Sequence, residues 1–335
     1  MSHTDPAALP RVGTGLTGVV TILDVRARAI IADRADLVRL TDGGIWAEGP
    51  VYLPTEDAVM YSDVRANRAV RWSEATGGEI WRQPNDNTNG NTLDREGRVI
   101  HCEHAHRRIA RTEADGTRHG LVDRYQGKRL NSPNDIVVKS DGTIWFTDPP
   151  YGIILPEEGT PAPQEQPACF VFRFDPQTEE LTAVTDRMIH PNGLAFAPDE
   201  SLLYVSDTSW GMDPADDRHI VAFDVVDGRR LENPRVFMTM EPGVPDGFRV
   251  DEHGNVWTSA QDGIHILDPD GLDLARISVP EVTANCVFGG PGGDRLFIAA
   301  SSSLYAIDTL TVGSGVAAET ARRLVARPEG GPDHG

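Results

Sequence analysis

Short apolar runs separated by polar turns recur along most of the chain, and this patterning predicts strands rather than helices. Pro191 to Thr208, PNGLAFAPDESLLYVSDT, shows the unit: a polar Asn, an apolar run, an acidic turn, then a second apolar run closing on Ser-Asp. The second run recurs as Val59–Asp63, Val99–Glu103, Ile144–Asp148, Leu203–Asp207, Val256–Ala260 and Leu296–Ala300. Turns rich in Asp, Glu or Gly precede each (PTEDA, DREGR, KSDGT, PDES, DEHGN, GPGGD), and most are followed by a third strand-like run. Six small meanders with a period of roughly 40–60 residues predict an all-β fold, a six-bladed β-propeller with a central channel.

The expected domain plan is one propeller over residues 22–308, with a flexible arm at 1–21 and a partly disordered tail with a short helix at 309–335. Segment 22–38 is expected to give an outer strand closing the ring. Residues 153–168 and 209–218 read as loops inserted between strands.

A polar residue stands at the start of each predicted first strand: Glu48, Asn89, Asn134, Asn192, Asp246 and Asn285. Four of them precede Gly, so each alone is an ordinary turn signal. Taken together they predict a ring of oxygen-bearing side chains at one mouth of the channel, suited to a hard divalent cation. Because second strands run back toward that mouth, Asp63, Glu103, His104, Asp148 and Asp207 are expected near it. Crowded carboxylates raise one another's pKa unless a cation neutralises them. Singly, Asp63, Asp148 and Asp207 read as Ser/Thr-Asp turns that end strands.

Composition narrows the partners. A net charge of −20 disfavours nucleic acid and anionic membranes. No apolar run approaches the roughly 20 residues of a membrane span, and no secretory signal is expected at the N-terminus. Three widely spaced cysteines, Cys102, Cys169 and Cys286, point to a reducing, cytoplasmic setting rather than a disulfide framework. His101, His104 and His106 resemble a metal cluster, but alternation along a strand keeps all three from one face. A substrate contact through Glu103 or His104 suits that segment better. Gly13 to Gly18 matches the dinucleotide glycine spacing without a preceding strand or following helix, and so fails its context. Trp145 and Trp257 fall within alternating runs and are expected in the core between blades.

The stretches WAEGPVYLP, YQGKRLNSPNDIVVKSDGTIWFTDPPYGI, HPNGLAFAPDESLLYVSDT and PDGFRVDEHGNVWTSA carry a family resemblance. With VFGGPGGDRLFIAASSSLYAI, they resemble the gluconolactonase, senescence marker protein (regucalcin) and luciferin-regenerating enzyme family, closest to its bacterial gluconolactonases. The resemblance spans about residues 22–308. It implies one divalent cation in the channel, Ca²⁺ first, with Mg²⁺, Mn²⁺ or Zn²⁺ as alternatives. Its ligands by motif would be Glu48, Asn192 and Asp246, with Asn134 as ligand or substrate contact. Asp246 would also move the proton. Asn89, Asn134, Glu103, His104, Asp148 and Tyr151 are the expected substrate contacts. The Arg that the animal branch places two residues before the central Asn is Ser132 here, so the loop Asp148–Tyr151 must supply other contacts.

The implied activity is metal-dependent opening of a sugar (aldono)lactone, such as glucono-1,5-lactone, to the free acid, within carbohydrate metabolism. The cation would polarise the carbonyl, and Asp246 or a water acidified by the cation would act as base. An esterase or organophosphatase-type propeller hydrolase and a non-enzymatic calcium-binding propeller are the alternatives. Oligomeric state stays open.

Overall fold

The computed structural model describes residue 13 and residues 15–326. Alternation of apolar and polar positions builds six antiparallel sheets of at least four strands, each a meander. Blade 1 runs from Ala47–Leu53 to Gly77–Arg82, blade 2 from Thr88–Leu93 to Arg118–Val122, and blade 3 from Ile136–Val138 to Glu180–Thr185. Blade 4 runs from Pro191–Phe196 to Arg230–Thr239, and blade 5 from Phe248–Val250 to Asp273–Ser278. Blade 6 begins with Thr283–Gly289, Arg295–Ala300 and Ser303–Asp308. First strands touch in order around the ring, and that of blade 6 touches that of blade 1. The expected six-bladed propeller is the observed fold.

An N-terminal strand closes the circle. Leu37–Thr41 pairs antiparallel with Ser303–Asp308 and becomes the fourth strand of blade 6. Closure of this kind covers a sheet edge that would otherwise present unpaired backbone groups. Val20–Ile22 adds a fifth strand outside Asp273–Ser278 of blade 5. Between the two, Ala27, Ile30 and Ile31 are buried against blades 5 and 6. Part of the segment expected as a flexible arm is therefore sheet: Gly15–Leu16 also pairs with Leu37–Val38, so the glycine-rich motif opens an edge strand.

Large side chains fill the wedges between blades. Trp145 and Trp257 are fully buried, edge-on to Phe196 and Phe288 of the following blades at centroid distances of 5.4 and 5.3 Å. Burying side chains of this size stabilises the fold by about 1.5–3 kcal/mol each. Cys102, Cys169 and Cys286 are buried free thiols.

The expected helix in the tail is Gly315–Val325. It packs on the first strands of blades 2, 3 and 6 and shares a crevice with Val51, Leu93 and Phe288. The disorder expected at the C-terminus lies outside the described residues. No helix among the described residues is long and apolar enough to cross a membrane.

Candidate active site

The polar residue at the head of each first strand is presented by the backbone. In blades 1, 2, 4 and 6 the pairing of first and second strands slips beside it, between Glu48 and Val51, Thr88 and Asn91, Pro191 and Leu194, and Thr283 and Asn285. A bulge of this kind re-aims side chains at the end of a strand. The carbonyls behind the ring are tied down by the Ser or Thr that precedes the closing Asp of second strands. Ser62 donates to Asn89 O, Thr147 to Asn192 O and Ser206 to Asp246 O, at 2.7–2.8 Å.

At Gly90, Gly193 and Gly247 the glycine is explained by crowding rather than by a left-handed turn, whereas Gly49 is crowded and also has a positive φ. Gly193 does not adopt a positive φ, yet a Cβ there would lie 2.3 Å from the Asp246 carbonyl oxygen of the next blade. At Gly90 the same construction meets Asn134 O at 2.4 Å. Blades approach so closely at the ring that most of these positions leave no room for a side chain.

Glu48, Asn89, Asn134, Asn192 and Asp246 all line one cavity of about 350 Å³ at the channel mouth. Asn285 is buried beside it and donates to Glu48 Oε2 at 3.2 Å, while Gly49 N donates to the same oxygen at 2.9 Å. Asn285 Nδ2 and Arg249 Nη1 each lie 3.5 Å from Asp135 Oδ2. Tyr151 hydroxyl bonds to Thr208 Oγ1, which also accepts from Asn192 Nδ2 at 3.2 Å. With its amide nitrogen so engaged, Asn192 keeps Oδ1 as the ligand atom it can offer.

Charge is unbalanced here. Burial, with help from Asp135 and Glu158, pushes Glu48 up to about 8 despite the bonds from Gly49 and Asn285. Burial and the Glu48, Asp135 and Glu158 carboxylates hold Asp246 well above the usual carboxylate range. Asp246 Oδ1 and Asn89 Oδ1 are buried without a hydrogen-bond partner. Glu48, Asp246, Asn192, Asn134 and Asn89 are thus the side chains that could hold a cation.

Three expected substrate contacts lie elsewhere. Glu103 is buried against two arginines, with Arg108 Nε at 2.5 Å and Arg118 Nη1 at 3.4 Å, and His106 Nδ1 lies 3.0 Å away. Asp148 accepts from Asn131 N at 2.8 Å and does not line the cavity. His104 is buried behind the inserted segment, its Nδ1 3.1 Å from Glu158 O. The physical reason is alternation: the Ser or Thr before a closing Asp faces the ring, so the Asp turns toward the loops. Asp63 accordingly accepts from Ile45 N and Trp46 N, and Asp207 from Ile189 N, His190 N and Ser209 N. The three histidines do not converge: His101 bonds to Asn91 and Thr112, and ligand atoms of His106, Asp86 and Glu103 lie within 4.8 Å of one another. Arg108 and Arg118 already counter the Glu103 charge in that group.

Burial lowers His104 to about 4, because a charged imidazole there would lose hydration. Between that value and the ordinary 6.5, the unfolded chain binds a proton that the folded chain does not. Stability is therefore complete above pH 6.5 and falls as pH drops toward 4, by up to ~3 kcal/mol. Urea midpoints at pH 7 and pH 5 check this: His104→Asn is expected to shrink the difference shown by the unsubstituted chain.

The insertions contribute what sequence reasoning missed. Leu155 and Glu158 come from the first, and Thr208, Trp210 and Met212 from the second and its edge; all line the cavity, as does Tyr151, the expected substrate contact that stands just before the first insertion. Arg65 is held by Glu158 Oε1 through Nε and Nη2 at 3.0 and 2.8 Å and lies over Trp46, 4.7 Å from the ring centroid. Ser132 braces the loop, donating to Pro149 O at 2.6 Å and accepting from Gly152 N at 2.9 Å.

The chain is thus a six-bladed propeller with one cavity at a channel mouth, into which the side-chain oxygens of five residues at the heads of first strands converge. Residues 46–302 match the SMP-30/gluconolactonase/LRE-like region, and the chain belongs to that family. It is 30% identical over 321 residues to the gluconolactonase of Zymomonas mobilis, covering 88% of this chain and 87% of that protein. The pentonolactonase XacC of Haloferax volcanii is 28% identical over 258 residues, covering 75% and 80%. A solved structure from Xanthomonas campestris, described as a gluconolactonase important in glucose secondary metabolic pathways, is 39% identical with a TM-score of 0.82, covering 90% of this chain and 98% of that one.

Proposed function

We propose that this chain is a lactonase that opens lactones, sugar lactones such as glucono-1,5-lactone among them, to their hydroxy acids. The similarity to named lactonases supports the reaction class. The observation that carries the reading is the convergence of Glu48, Asn134, Asn192 and Asp246 in one cavity, with Asp246 Oδ1 buried and unpartnered.

The donor set fits a divalent cation. It is all oxygen, it includes two carboxylates whose protonation is favoured by their crowding, and it leaves buried oxygens without partners. A bound cation would relieve that crowding and hold both carboxylates ionised at neutral pH. Glu48, Asn192, Asp246 and Asn134 would hold it, Ca²⁺ being the first choice for a site without His or Cys. When bound, it supplies Lewis-acid polarisation of the lactone carbonyl.

The side chains do the rest. Water adds to the carbonyl carbon while Asp246 takes its proton. As the bond from the acyl carbon to the ring oxygen breaks, Asp246 returns that proton to the departing oxygen. Asn89 and Asn134 line the same cavity, and their amide hydrogens would donate to substrate oxygens, including the carbonyl oxygen as it gains charge. Tyr151 and Thr208 keep the Asn192 amide oriented.

Calorimetric titration with Ca²⁺ and Mn²⁺ tests the ligand set without relying on turnover. Glu48→Gln, which removes one charge and keeps the volume, is expected to weaken cation binding about tenfold or more. Equal affinity in Glu48→Gln and the unsubstituted chain would remove Glu48 from the site.

A further inference from the structure

The cavity has two chemically distinct zones. Its floor is the oxygen ring. Its rim is apolar, formed by Trp46, Leu155, Trp210, Met212, Val244 and Val282. These come from loops leading into the first strands of blades 1, 5 and 6 and from insertions in blades 3 and 4, so five of the six blades contribute to the rim. Among these six residues the indole N–H groups are the only side-chain hydrogen-bond donors, while Arg65, Thr208, Gln261 and Thr283 bring further donors to the cavity lining.

Several of these side chains are also left in water. Met212 is 49% and Val282 44% exposed, and the adjoining Ile45 and Ile154 are exposed as well. Apolar residues scattered singly on a surface need no explanation, but a group around a cavity mouth marks a binding surface. The two tryptophans are held in place by cations, Arg65 over Trp46 and Arg218 over Trp210, at 4.7 and 5.2 Å from the ring centroids. The rim is thus a built wall on two of its sides.

A small polyhydroxylated lactone matches the floor but not this wall. Its hydroxyls would lose water against Leu155, Met212, Val244 and Val282 and gain no partner there, which is unfavourable. A lactone with an apolar group beside the ring matches both zones: the ester and ring oxygens meet the floor, and the substituent covers the rim. We propose that the preferred substrates of this lactonase are lactones carrying an alkyl or aryl substituent on the ring. The assignment rests on the lactonase reading above and names its substrate class.

The test compares kcat/KM for δ-decalactone, an alkyl-substituted six-membered lactone, with that for glucono-1,5-lactone, using the full chain loaded with Ca²⁺. The alkyl lactone is expected to be favoured about tenfold or more, the scale on which apolar pockets discriminate. Met212→Ser and Val282→Ser are each expected to lower the alkyl-to-glucono ratio about tenfold, through KM for the alkyl substrate. Both positions are half in solvent, and an unchanged melting temperature checks that the fold is kept. A ratio at or below one in the unsubstituted chain, or a ratio unmoved by both substitutions, overturns the substrate class while the lactonase reading stands. Failure to open either lactone overturns both.

Discussion

Asp246→Asn is expected to lower kcat/KM for lactone opening by about 10³-fold, the scale of a lost general acid–base group, with the propeller intact. The substitution keeps size and one oxygen, so it isolates charge and proton transfer. It also removes the carboxylate that burial and the Glu48, Asp135 and Glu158 charges hold above its usual range, so in the cation-free chain its melting temperature is expected to equal or exceed that of the unsubstituted chain. Steady-state kinetics with circular dichroism melts check both halves. Activity within tenfold of the unsubstituted enzyme would take the proton-transfer role away from Asp246.

Gly193→Ala is expected to be costly at a position that looks harmless in sequence. The added Cβ would press on the Asp246 carbonyl oxygen from 2.3 Å, and that atom is backbone held by Ser206. Overpacking of this kind costs about 1–3 kcal/mol, and in a chain this large each kcal/mol moves the melting temperature by about 2–4 °C. Because the displaced residue is Asp246 itself, activity should fall along with stability. A melt and a rate equal to those of the unsubstituted chain would mean that the blades can part at the ring.

These two sites show how far the chain could be read unaided. The ring was legible because its information is local: a polar residue, often with a following Gly, heads each first strand at Glu48, Asn89, Asn134, Asn192, Asp246 and Asn285. The reason for the glycine was not legible, since Gly193 answers to Asp246 on the neighbouring blade, 53 residues away. Direction along the second strands was readable and side-chain facing was not. Asp63, Asp148 and Asp207 reach the mouth, but their carboxylates bind loop N–H groups. Glu103 needed knowledge of Arg108 and Arg118 across its blade. The rim was hidden for a further reason. Leu155, Glu158, Trp210 and Met212 sit in insertions without periodicity, whose position is set by contacts such as Arg65 with Glu158, 93 residues apart.

The central claim, lactone opening by a cation-holding oxygen ring, meets its most direct test in proton release from glucono-1,5-lactone followed above the spontaneous rate. The full chain would be measured as purified, after chelation with cation removal verified by elemental analysis, and after Ca²⁺ is restored. Catalysis is expected to disappear on chelation and to return with the ion. Catalysis that persists at full rate in the verified cation-free protein would contradict it.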